Sequence, residues 1–140
     1  MGGMGKAVLA AAMTLALVPA ARAQGQAELR IAARTDGGGA APTCMMPVRL
    51  TNTGTARIST FSAEVEAVDA RSGATLRVPL ATVGFVGVQP GETKEWTTLA
   101  ATGAPCGQVR LRVVRTTCVR RCGEARWSQQ GLAGLEVAPR

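Results

Sequence analysis

The stretch Phe61-Ser62-Ala63-Glu64-Val65-Glu66-Ala67-Val68-Asp69 decides the fold. Phe61, Ala63, Val65 and Ala67 share one face, and Ser62, Glu64, Glu66 and Val68 share the other. A period of two with one apolar face is the signature of a strand packed on one side and wet on the other. The same alternation recurs on both sides of it. Leu29-Arg30-Ile31 begins the series, and Val48-Arg49-Leu50-Thr51 continues it up to a turn signal at Asn52-Thr53-Gly54. Beyond the turn Asp69-Ala70-Arg71-Ser72-Gly73, Leu76, Val78 and Leu80 resume the pattern. Pro90-Gly91 suits the centre of a type II turn, because proline presets φ and glycine accepts a positive φ. Glu95 to Leu99 predicts a shorter strand containing Trp96. Val109, Leu111 and Val113 then alternate with Gln108, Arg110 and Arg112. A last strand or pair of strands falls within Ala125 to Val137, interrupted at Gly131 and Gly134.

About seven strands separated by turns of this kind define an all-β chain, an antiparallel β-sandwich of immunoglobulin-like type. The full length of 140 residues suits one domain and is short for two. Met1 to Lys6 is a short polar start with one positive charge, Ala7 to Val18 is apolar apart from Thr14, and Pro19 breaks the run. Ala21-Arg22-Ala23 then offers small residues where a signal peptidase reads. This three-part layout predicts a cleavable signal peptide over residues 1–23 and a single domain over residues 24–140. The apolar run is too short for a membrane-spanning helix, which takes about 20 residues. The expected location is therefore periplasmic or secreted, after cleavage following Ala23, with no transmembrane segment in the mature chain.

All four cysteines lie after the leader: Cys44, Cys106, Cys118 and Cys122. An even count in an oxidising compartment predicts two disulfides, for which the sequence alone allows three connectivities and geometry favours one. Cys118-Val119-Arg120-Arg121-Cys122 would bring its two thiols opposite each other across a hairpin. Cys44 and Cys106 each open a strand-like run, so two strands starting at one end of a sandwich would pair them. The long bridge would be worth about 4 kcal/mol and the short one about 2 kcal/mol by chain entropy. A soft-metal site for copper through Cys44, Met45 and Met46 is the competing use of these sulfurs.

Three segments carry a family likeness: Val48-Arg49-Leu50-Thr51-Asn52-Thr53-Gly54, Val65-Glu66-Ala67-Val68-Asp69-Ala70 with Gly73, and Pro90-Gly91-Glu92. Together they resemble small bacterial exported immunoglobulin-like domains of the FxLYD type. The family's signature aromatic positions are Val65 and Val68 here. The resemblance implies the sandwich fold and an export route; such domains mostly lack an assigned activity.

The chain has no histidine, which removes imidazole-based nucleophile pairs and imidazole metal ligands. Glu64 and Glu66 are the close carboxylate pair, but on the wet face of a strand they are expected to meet Arg110 and Arg112 across the sheet. Cross-strand pairing of that kind sets register, and it is the expected role in place of acid–base catalysis. No cofactor is indicated, and the chain reads as a binding protein and not an enzyme. With 16 Lys+Arg against 9 Asp+Glu, the charge is +7. Export and the absence of tyrosine argue against nucleic acid as the partner. The basic excess concentrates at Arg115, Arg120, Arg121 and Arg126 beside Trp127, with Glu124 the one acid nearby. A disulfide-stapled tip bearing these side chains would suit an anionic partner, either an envelope protein or an anionic envelope polymer.

Overall fold

The computed structural model describes residues 23–37, 41–119 and 122–139. The expected signal peptide up to residue 22, together with Arg120 and Arg121, lies outside the described residues. Twelve strands follow one another among them. These are β1 (Ala27–Ala32), β2 (Arg34–Asp36), β3 (Thr43–Met45), β4 (Val48–Asn52), β5 (Ile58–Asp69) and β6 (Thr75–Leu76). After them come β7 (Thr82–Val88), β8 (Thr93–Trp96), β9 (Ala100–Thr102), β10 (Val109–Val119), β11 (Arg126–Gln130) and β12 (Gly134–Val137). A single 3-10 turn, Cys106–Gln108, precedes β10.

Two layers face each other. The first runs β11-β1-β4-β8, and the second runs β12-β10-β5-β6, with β7 also on β5. A small sheet, β2-β3-β9, repeats the order β1-β4-β8 beyond a break in all three strands. Pro47, which has no N–H for a ladder, stands at the break between β3 and β4. Met46 N–H still bonds Leu99 C=O at 2.8 Å across it. The core is what the alternation predicts: Leu29, Ile31, Val48 and Leu50 from the first layer meet Phe61, Ala63, Val65, Ala67, Leu111 and Val113 from the second, all buried.

The strand count differs from the expected seven for local reasons. Leu76, Val78 and Leu80 do not form one strand; β6 covers only Thr75–Leu76, and Leu80 is exposed. The strand that flanks β5 over Ile58–Glu64 is instead β7. Gly84 and Gly87 hide it in the sequence, because glycine reads as a turn residue. Gly87 has φ 65°, and the register kink there puts Val88 inward with Val83 and Phe85. Lys94 reaches this edge strand and donates to Val86 C=O at 2.7 Å, a charged guard against edge-to-edge pairing.

The last two strands also depart from a purely antiparallel scheme. β11 runs parallel to β1, and β12 runs parallel to β10. The chain reverses between them at Gly131, whose φ is 95° and where a Cβ would press on Ala33 C=O. Each of the two strands therefore closes the edge of a different layer.

Asn52 is the buried polar side chain of the described residues. Its Oδ1 accepts from Gln26 N–H at 3.2 Å and Gly54 N–H at 3.0 Å. Its Nδ2 donates to Ala56 C=O at 2.8 Å and Val88 C=O at 3.0 Å. The main chain of Asn52 accepts from Gly91 N–H, and Gly91 has the φ of 80° that a type II turn requires. At the other end of the β3–β4 run, Cys44 bonds Cys106 with their Cα atoms 4.8 Å apart. Both cysteines are buried.

Asn52→Ala would leave two donors and two acceptors without their partner, at about 3 kcal/mol of stability by urea denaturation. Cys44→Ser together with Cys106→Ser is expected to cost about 4 kcal/mol by the same measurement, from the long loop released in the unfolded chain.

Candidate binding surface

The charged rows on the outer face of the second layer follow from the register of β5 and β10. Arg112 stands opposite Glu66, and its guanidinium lies 3.4 Å from the carboxylate. Arg110 stands opposite Val68 and meets neither Glu64 nor Glu66 in register. Its partner is Glu136 on β12, at 3.9 Å, which also holds Arg112 at 3.2 Å. Sequence reading missed Glu136, because the parallel return of β12 is set by the turn at Gly131. A bulge at Val114 then shifts the ladder and puts Arg115 opposite Glu64. All these side chains are at least partly exposed, so each pair is worth a few tenths to 1 kcal/mol. Glu64 and Glu66 thus face arginines across the sheet.

Cys118 and Cys122 are bonded, with their Cα atoms 5.9 Å apart. The expected hairpin between them is corrected, however. β10 stays paired with β5 as far as Val119, whereas Cys122 bridges to Gly25 and β11 joins β1. The stapled segment is therefore a crossover from the second layer to the first. The physical reason lies just beyond it. Trp127 points inward, its ring 6.3 Å from that of Phe61, and this contact draws the chain onto the β1 edge.

The crossover separates the five residues that the sequence grouped. Arg115 is exposed on the outer face of the second layer. Arg126 is exposed on the outer face of the first, opposite Glu28. Trp127 is half-buried between the layers. Arg120 and Arg121 lie outside the described residues, though the Cys118–Cys122 ring encloses them in the chain. Beside the crossover, a cleft of about 550 Å³ is lined by Thr116, Glu124, Trp127 and the segment Val137–Pro139.

The sulfur atoms have a clear role. Cys44 is tied to Cys106 and is no thiolate, so a ligand set of Cys44, Met45 and Met46 lacks its anionic member. Met46 is fully buried in the core. Among the described residues no group of three His, Cys, Asp or Glu converges.

Fold and surface together define a class: an all-β sandwich, cross-linked twice by disulfides, with a basic surface. Comparison with family models, curated proteins and solved structures finds no match for the chain.

The Trp127 indole N–H is buried without an acceptor among the described residues. Trp127→Phe removes that donor and keeps an aromatic ring beside Phe61, so its cost stays below about 1.5 kcal/mol. Trp127→Ala opens a cavity at the half-buried site and costs about 3 kcal/mol. Equilibrium denaturation of the two variants checks the difference.

Proposed function

We propose that this chain is an exported, non-catalytic binding module of the cell envelope, immunoglobulin-like in build and similar to FxLYD-type domains. In this reading it acts in the periplasm or outside the cell after cleavage following Ala23. Its partner is an envelope protein or an anionic envelope polymer, bound without a cofactor. The observation that carries the reading is the Cys118–Cys122 bridge, a five-residue ring with Arg120 and Arg121 inside it. A short covalent ring limits the conformations of its residues before binding, so less entropy is lost when two guanidinium forks engage an oxyanion. The crossover position helps as well, because both ends of the ring are anchored, one in β10 and the other through Cys122 on Gly25. The second disulfide supports export, since bridges persist in oxidising compartments.

Two measurements test this. The protein recovered from the exported fraction is expected to begin at Gln24 and to carry no titratable thiol, by mass spectrometry and thiol counting. Arg120→Glu combined with Arg121→Glu should lower retention on anionic envelope material by roughly tenfold or more at moderate salt. Unchanged retention would remove the stapled ring from the binding mechanism.

A further inference from the structure

The outer face of the first layer holds a row of side chains fixed by register: Ser128 on β11, Arg30 on β1, Arg49 on β4 and Glu95 on β8. Arg30 and Arg49 are direct cross-strand partners. Like charges placed opposite each other on adjacent strands destabilise a sheet, so the pair needs a reason. Glu95 relieves it only in part. Its carboxylate is 4.0 Å from the Arg49 Nε, and both side chains are largely exposed, a geometry of little strength. Arg30 makes no ion pair among the described residues. Glu28 stands two residues before it on the same face, opposite Arg126.

A hollow of about 380 Å³ adjoins this pair. Ala32 and Pro47, short side chains, line it together with Gln130, Arg30, Arg49 and Glu95. Two arginines, with Gln130 and Glu95 beside them, therefore border one recess. Glu95 lies one strand beyond Arg49, so about two strand spacings, some 10 Å of backbone, separate it from Arg30.

From this we infer that the recess between Arg30 and Arg49 binds a phosphate-type oxyanion, with Gln130 contributing an amide donor. Guanidinium forks suit tetrahedral oxyanions through paired hydrogen bonds, and the bound charge offsets the repulsion between the two arginines. The anion belongs either to free phosphate or to a phosphate ester carried by an envelope polymer; the recess recognises the chemistry they share. This site lies on a sheet face described in full and does not depend on the stapled ring.

The test uses the purified chain with both disulfides formed. Inorganic phosphate, glycerol 3-phosphate and chloride are titrated at matched ionic strength, with binding followed by NMR shifts of β1 and β4 amides and by melting temperature. Saturable shifts and a rise in melting temperature with phosphate, beyond those with chloride, are expected. Glycerol 3-phosphate binding as tightly as phosphate would assign the site to esters, and weaker binding would assign it to the free ion. Arg30→Gln and, separately, Arg49→Gln should each weaken phosphate binding about tenfold. Arg30→Gln should also melt no lower than the parent in chloride, because it removes the like-charge contact. The Arg120→Glu, Arg121→Glu variant should keep the phosphate response, so failure of the ring and failure of the recess are separable. A phosphate effect equal to that of chloride, or one retained in both single variants, would overturn the inference.

Discussion

A buried amide has to be satisfied, and at Asn52 that requirement holds one end of the molecule together. Its side chain ties Gln26 before β1, Gly54 and Ala56 in the following turn, and Val88 at the end of β7. These partners belong to both layers, so the amide sets how the two sheets meet as well as where one strand stops. Buried polar groups are paired in folded proteins because an unpaired one costs as much as several buried methylenes gain. No apolar side chain of similar size could replace it. The Cys44–Cys106 bridge plays the matching part at the far end of the β3–β4 run, through a covalent bond. A chain with two Phe, two Trp and no Tyr has few large rings to fill its core. It relies on these two anchors in addition to its aliphatic packing.

Between the anchors, charge is distributed unevenly over the two outer faces. On the second layer, Glu66 and Glu136 bracket Arg112, and the bulge at Val114 delivers Arg115 opposite Glu64. That face is close to balanced. On the first layer the register sets Arg30 against Arg49, and Glu95 offers only a distant contact. The one like-charge contact between neighbouring strands among the described residues, Arg30 against Arg49, thus lies beside a carboxylate on one side only, and a β-sheet permits it because register answers first to the buried face.

Much of the fold could be read from alternation. Phe61, Ala63, Val65 and Ala67 are inward, Val109, Leu111 and Val113 are inward opposite them, and the turns at Asp69–Gly73 and Pro90–Gly91 lie where their residues call for them. Strand β7 escaped notice because Gly84 and Gly87 interrupt its pattern. The candidate site was harder to read. Arg115, Arg126 and Trp127 are near neighbours in sequence, but successive side chains on strands point to opposite faces, and the crossover at Cys122 sends β10 and β11 into different layers. Arg30 and Arg49 are far apart in the chain and come together only through the β1–β4 pairing.

Residue order alone determined the class of fold and the buried face of the principal strands, and it favoured one of the three possible cysteine pairings. Those properties follow from local periodicity and from the short reach of a disulfide. Only the tertiary structure decided that β11 and β12 close separate layers in parallel, that Glu136 serves Arg110 and Arg112, and that two arginines confront each other on the first sheet. These depend on which edge a strand joins, and that choice is made by burying Trp127 and turning at Gly131, contacts that no local pattern encodes.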